Sequence, residues 1–123
     1  MRCLVTGASG HLGSHLTHIL AHEGHQVTLL VRPQSNLWRI SDLVSQTKLI
    51  QGELHEIQRV SSELTLADPE IVFHLAWNGV ASQDRDSPQQ INQNLIGSLQ
   101  LLSILQKTNC RCWVGLGSQA EYG

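Results

Sequence analysis

Three glycines at a strand-to-helix turn restrict what this chain can fold into. They stand in Thr6-Gly7-Ala8-Ser9-Gly10-His11-Leu12-Gly13, spaced Gly-x-x-Gly-x-x-Gly. The apolar run Cys3-Leu4-Val5 precedes them, and Leu12, Leu16, Ile19 and Leu20 follow at helical spacing. Such a turn is tight, brings backbone N–H groups close to an anion, and points the positive end of a helix at it. A dinucleotide pyrophosphate is the usual guest. Glycine-rich turns are common, so the strand before and the helix after carry much of this reading. No Gly-Lys-Ser/Thr follows the turn, which excludes a P-loop nucleotide hydrolase.

The remaining chain alternates strand and helix. The pattern predicts a strand over Arg2–Val5 and a helix from His11 to Glu23, stopped by Gly24. A second strand, Gln26–Val31, is ended by Pro33. Asn36 is placed to cap a short helix carrying Leu37, Ile40, Leu43 and Val44 on one face. Lys48–Gln51 reads as a third strand. Ile57, Val60, Leu64 and Ala67 mark a helix closed by Asp68-Pro69, and a fourth strand lies within Glu70–Ala76. Ser87-Pro88-Gln89-Gln90 is a strong helix start, and that helix continues through Ile91, Leu95, Leu99, Leu102 and Leu105. Arg111–Leu116 is the fifth strand.

Apolar strands separated by helices mean a parallel sheet covered on both faces. Right-handed crossovers then give an α/β, doubly wound, Rossmann-type sheet in the order 3-2-1-4-5, one domain over residues 1–123. Ligands of such sheets bind beyond the carboxyl ends of the strands. The glycine turn, Arg32, Ala76-Trp77 and Gly117-Ser118 all fall at those ends. The formal net charge is −2 with no Lys/Arg cluster, which argues against a nucleic-acid partner. No apolar run approaches the roughly 20 residues of a membrane span. The segment Met1–Gly7 is too short for a signal peptide. Cys3, Cys110 and Cys112 therefore read as reduced thiols, and the expected location is cytoplasmic.

The end of strand two bears on the choice of dinucleotide. An acid there accepts from the adenosine 2′-hydroxyl and selects NAD, whereas a cation accommodates a 2′-phosphate and selects NADP. Here the strand closes Leu30-Val31-Arg32-Pro33-Gln34-Ser35-Asn36, and no acid appears before Asp42. A guanidinium can bond a phosphate through two parallel N–H groups, and Ser35 and Asn36 can add hydrogen bonds. NADP is therefore favoured over NAD. The competing reading makes Arg32 a solvated strand-end charge, or a stacking partner of adenine that selects nothing.

Taken together these residues resemble the extended short-chain dehydrogenase/reductases, the NAD(P)-dependent epimerases and dehydratases of nucleotide sugars. Thr6-Gly7-x-x-Gly10-x-x-Gly13 is similar to the family's cofactor turn, which brings in Gly7, Ser9, Gly10, His11, Leu12 and Gly13. Gly52-Glu53-Leu54 looks like the family's Gly-Asp-Leu, whose acid and apolar residue meet the adenine; Glu53 is a departure. Pro69–Ala76 resembles the fourth strand, whose His74-Leu75-Ala76 end, with Trp77 next, lies along the dinucleotide. Asn94 matches an Asn on the following helix. Gly117–Gly123 is similar to the stretch after strand five, where the residue four before Tyr-Gly is the catalytic Ser or Thr; that role falls on Ser118. The resemblance implies hydride transfer between nicotinamide and a sugar carbon, and a homodimer packed through the helix Ile91–Leu105. The family's Tyr-x-x-x-Lys occurs nowhere in the sequence, and Tyr122 is one residue from its end. The chain thus looks like the N-terminal, cofactor-binding part of a longer enzyme, truncated after strand five, and it is expected to be inactive alone.

Other constellations read as structural. His11, His15, His18 and His22 form one stripe of the first helix. The apolar stripe of Leu12, Leu16, Ile19 and Leu20 beside it is expected to face the sheet, which leaves the histidines at the boundary or in solvent and no metal site. His11 is separate, because its backbone N–H faces the expected pyrophosphate whatever its ring does. Cys110-Arg111-Cys112 lacks the spacing of a zinc pair, and His74 reads as a packed strand residue. Trp77 either walls the substrate pocket or covers the sheet edge. Helix Ile91–Leu105 has apolar residues on more than one face, including Leu101 and Ile104. Two functions remain: the NAD(P)-binding half of an epimerase, dehydratase or ketosugar reductase, or a non-catalytic NADP-binding module or partner subunit.

Overall fold

A computed structural model describes residues 1–78, 82–84 and 86–117. Five parallel strands form one sheet in the order β3-β2-β1-β4-β5. They are β1 (Arg2–Thr6), β2 (Gln26–Val31), β3 (Lys48–Gln51), β4 (Ile71–His74) and β5 (Cys112–Gly115). Three α-helices connect them: α1 (His11–His22), α2 (Ser61–Ala67) and α3 (Ile96–Leu105). The expected doubly wound sheet and its strand order are thus observed.

Strand alternation builds both cores. Leu4, Leu30, Ile50 and Val72 point to one face and meet Leu64 of α2 and Leu101, Ile104 and Leu105 of α3. Cys3, Val5, Val27, Leu29 and Val31 point to the other and meet Leu20 of α1 and Ile40. The register puts Val5 opposite Leu29 and Phe73, so the central strand is packed on both sides. Burying each such aliphatic side chain contributes about 1.5–3 kcal/mol. At the base of the sheet Asp68 takes a left-handed conformation (φ 46°) and joins three segments. It accepts from Arg2 at 3.1 Å and from the Asn109 backbone and amide at 2.8 Å each.

Three expectations are corrected. Of the expected stripe α1 presents only Leu16 and Leu20 to the sheet: Leu12 is 49% and Ile19 58% exposed. Its buried face is Gly13, Ser14, Thr17 and Leu20. Small residues there let the helix lie close to the turn, and the Thr17 hydroxyl is satisfied by the Gly13 carbonyl at 2.7 Å. The helix expected after Asn36 is two 3-10 turns, Trp38–Ile40 and Val44–Gln46. Asn36 Oδ1 does accept from the Trp38 N–H. The segment is too short to repay helix nucleation. Ser41 and Thr47 also bond nearby carbonyls of Trp38 and Leu43. The helix expected around Ile57–Ala67 is a 3-10 stretch, Leu54–Val60, broken by non-helical Glu56, and then α2.

After Ser87-Pro88 the chain enters a π-helical turn, Gln90–Leu95, before α3. Wide turns of this kind are uncommon and recur at functional sites. Gly97, Leu101, Ile104 and Leu105 are buried, while Ile91, Leu95, Leu99 and Leu102 form an exposed apolar row.

Candidate dinucleotide-binding cleft

The carboxyl ends of the four strands β1 to β4 open into one cleft of about 710 Å³, part of it continuous with solvent. The turn after β1 supplies Gly7, Ser9 and Gly10. β2 supplies Leu30 and Val31 and, past its end, Arg32 and Ser35. Gly52 and Leu54 come from beyond β3, and Leu75, Ala76, Trp77 and Asn78 from beyond β4.

Two glycines are required by contact. Gly7 has φ +72°, and a Cβ on it would stand 2.8 Å from the Ala76 nitrogen and the Leu75 carbonyl carbon. A Cβ on Gly13 would overlap the Gly7 carbonyl oxygen. The turn is thus pressed between the end of β4 and the first turn of α1. Gly10 closes it by donating to the Gly7 carbonyl at 3.1 Å. α1 begins just after Gly10 with no side-chain cap and no acidic residue in its first turn. Its leading N–H groups have no partner within the helix, and its dipole adds positive potential there. That combination favours a negatively charged group in the cleft.

The β2 side is cationic. Arg32 is exposed on the cleft wall, and the turn that carries it is closed by Ser35 N–H donating to the Arg32 carbonyl at 3.0 Å. A second guanidinium, Arg39, donates to the Ser9 carbonyl at 3.2 Å and lies over the Trp38 ring. The first 3-10 turn brings it there. A sequence expectation of a helix gave no reason to place Arg39 beside Ser9.

The β4 side is held by buried polar groups. The Thr6 hydroxyl accepts from the Leu75 and Ala76 N–H groups at 3.1 Å each and lies 2.8 Å from His74 Nδ1. His74 Nε2 is 2.9 Å from Ser98 Oγ, which donates to the Asn94 carbonyl at 2.6 Å. Burial pushes the His74 pKa down to about 4, so the ring is neutral at pH 7. Asn94 is fully buried. Its Oδ1 accepts from the Asn78 N–H and its Nδ2 donates to the Asn78 carbonyl and to Gln90 Oε1, each at 2.8 Å.

Residues 3–123 match the model of the NAD dependent epimerase/dehydratase family. The chain belongs to that family. A UDP-glucose 4-epimerase of Klebsiella pneumoniae is 26% identical over the whole chain and 93% of its own length. Another, of Halalkalibacterium halodurans, is 27% identical over the whole chain and 36% of its length. The fold superposes on UDP-glucose-4-epimerase from Stenotrophomonas maltophila, a structure with bound NAD and formylated UDP-arabinopyranose, with a TM-score of 0.84. That match is 25% identical and covers the whole chain and 38% of the solved one. The chain therefore spans little more than a third of two of these three relatives.

Within this family fold, nine of the sequence-derived candidates meet in the cleft: Gly7, Ser9, Gly10, Arg32, Ser35, Leu54, Leu75, Ala76 and Trp77. Trp77 is 54% exposed, which favours a pocket wall over a cover for the sheet. Others stand outside its walls. His11, Leu12 and Gly13 lie behind the turn, their place being the helix start. Asn36 bonds the Trp38 backbone, and Glu53 accepts from Gln34 Nε2 at 3.1 Å. Asn94 braces Asn78 and its side chain does not reach the cleft. Ser118 lies outside the described residues. Leu30, Val31, Gly52, Asn78 and Arg39 were not singled out from sequence. Gly52 had a signal, since it opens the Gly52-Glu53-Leu54 match; Arg39 had none.

The histidine stripe of α1 bonds locally. His15 Nδ1 donates to the His11 carbonyl and His18 Nδ1 to the Ser14 carbonyl, while His18 Nε2 faces Asp42 at 3.2 Å. Among the described residues no group of three His, Cys, Asp or Glu is arranged to hold a metal. No helix among them is long and apolar enough to cross a membrane.

Proposed function

We propose that the cleft holds a nicotinamide dinucleotide, with NADP preferred, and that the chain is the cofactor-binding part of an enzyme acting on a nucleotide sugar. The observation that carries this reading is the pressed glycine turn. It leaves backbone N–H groups and the α1 dipole facing the same cleft as Arg32. The cradle fits the cofactor: the glycine turn packs against β4 and α1 with no room for side chains, which brings its backbone to the cleft, and Arg32 stands at the β2 end with Arg39 beside Ser9. Gly7, Ser9 and Gly10 hold the pyrophosphate. Arg32, Arg39 and Ser35 hold a 2′-phosphate, each guanidinium contributing charge-assisted hydrogen bonds. Leu54 packs on the adenine, and Leu75 and Ala76 line the path toward the nicotinamide. When bound, the nicotinamide supplies hydride transfer. Ser118 orients the reacting hydroxyl or carbonyl by a hydrogen bond.

The relatives named as UDP-glucose 4-epimerases support a nucleotide sugar as substrate class and epimerisation as the reaction of the complete enzyme. A general base of the Tyr-x-x-x-Lys kind is absent from these 123 residues, so the chain alone binds cofactor without turnover. The exposed row Ile91, Leu95, Leu99 and Leu102 suits packing against a second copy. Tryptophan fluorescence tests the reading, because Trp77 lines the cleft. Saturable quenching by NADPH, reduced in Trp77→Phe, is expected; no quenching by NADPH or NADH contradicts it.

A further inference from the structure

The wall Leu75–Asn78 on the β4 side of the cleft is held at both ends. At its start the Ala76 N–H donates to Thr6 Oγ1 at 3.1 Å. The Leu75 N–H is shared between that oxygen at 3.1 Å and the Thr6 carbonyl at 3.2 Å. At its far end Asn94 takes the Asn78 N–H and carbonyl at 2.8 Å each. His74 and Ser98 join these anchors. His74 Nδ1 lies 2.8 Å from Thr6 Oγ1, and its Nε2 lies 2.9 Å from Ser98 Oγ. The Ser98 hydroxyl donates to the Asn94 carbonyl at 2.6 Å, across the junction between the π-helical turn Gln90–Leu95 and α3.

Protons run one way through this circuit. Ser98 gives its proton to a carbonyl, so toward His74 it accepts, and Nε2 carries the imidazole proton. Nδ1 is then a lone pair that takes the Thr6 proton, which leaves Thr6 Oγ1 to accept from the backbone. His74 is 7% exposed and Asn94 fully buried, so water is a poor substitute for a missing partner. Without the Ser98 hydroxyl, Nε2–H has no acceptor. The imidazole proton then moves to Nδ1, where it competes with the Leu75 and Ala76 N–H groups for Thr6 Oγ1. The Leu75 N–H keeps the Thr6 carbonyl, and the Ala76 N–H loses its acceptor. Ser98, which does not line the cleft, thus acts on a residue that does.

We propose that Ser98 is a positioning residue for the nicotinamide side of the cleft: it fixes the His74 tautomer that frees Thr6 to hold the wall at Ala76. The proposal rests on the dinucleotide reading above. Calorimetry of the whole chain with NADP+ and with adenosine 2′,5′-bisphosphate, its adenine half, separates the two sides of the cleft. Ser98→Ala is expected to weaken NADP+ by about tenfold and to leave the bisphosphate unchanged. Ser98→Thr, which keeps the hydroxyl, should restore NADP+ affinity. Proton–nitrogen correlation NMR of His74, its signals assigned by their loss in His74→Gln, reads the tautomer. The Nε2–H form is expected in wild type and Ser98→Thr, and the Nδ1–H form in Ser98→Ala. Equal losses for both probes in Ser98→Ala, no loss for either, or the Nδ1–H form in wild type overturns the proposal. If wild type binds neither probe, the dinucleotide reading falls, and the tautomers alone decide whether Ser98 governs Thr6 and the wall.

Discussion

Thr6 and His74 are joined side by side across the two central strands, hydroxyl to imidazole, at 2.8 Å. The direction of this bond follows from its neighbours. Thr6 Oγ1 accepts from two backbone N–H groups, so its lone pairs are used and its proton goes to His74 Nδ1. His74 then carries its own proton on Nε2 and donates it to Ser98 Oγ. Ser98 passes the sequence to the Asn94 carbonyl. One neutral imidazole thus couples the end of β1, the cleft wall at Leu75 and Ala76, and the helix above them.

Acid should loosen this arrangement. The folded pKa of His74 is about 4, below its usual value near 6.5, so the unfolded chain binds the extra proton first. The contribution of His74 is complete above about pH 6.5 and is lost as the pH falls toward 4, by up to about 3 kcal/mol. Urea midpoints across that window should show the decline. His74→Gln keeps a donor toward Ser98 and loses the titration, so its midpoint should fall less with pH than wild type. An identical slope in both would contradict this.

Thr6→Val tests the same joint at neutral pH. It strands the Ala76 N–H and His74 Nδ1, while the Leu75 N–H keeps the Thr6 carbonyl at 3.2 Å, and should cost on the order of 2 kcal/mol. Leu75 and Ala76 also line the cleft, so NADP+ affinity should fall with stability. Thr6→Ser restores the hydroxyl and should recover both. A serine variant no better than valine would show that the hydroxyl is not what matters.

Glycine substitutions separate contact from backbone strain. Gly24 has φ +83° and nothing within 4 Å of an added Cβ, so Gly24→Ala should cost about 1 kcal/mol and leave cofactor affinity alone. Gly13→Ala forces α1 off the Gly7 carbonyl and should cost more and abolish NADP+ binding. Thermal unfolding and calorimetry of the two variants give the comparison. Equal losses in both would sink the close-packing account of the turn.

Much of the fold was legible because its signals are local and redundant. The run Gln26–Val31 is a strand on any reading of its apolar residues, and it is observed with those bounds. The strand order followed from handedness. The face of α1 was misread because hydrophobicity pointed to Leu12 and Ile19, whereas close approach of helix and turn demanded the small residues Gly13, Ser14 and Thr17. The stretch 36–47 was misread because apolar spacing ignores how Ser41 and Thr47 bond local carbonyls. Of the residues expected at the site, those at strand ends line the cleft, since topology places them there. Arg39 and the bracing of Asn78 by Asn94 depend on irregular turns, whose geometry no periodicity encodes.

The proposed dinucleotide site is the cleft at Gly7 and Gly10, with Arg32 and Arg39 toward its β2 end. Calorimetric titration of the chain with NADP+ and NAD+ tests it most directly. One saturable site is expected, with NADP+ tighter by about tenfold, that preference lost in Arg32→Asp and weakened in Arg39→Ala. No saturable heat with either dinucleotide would contradict it.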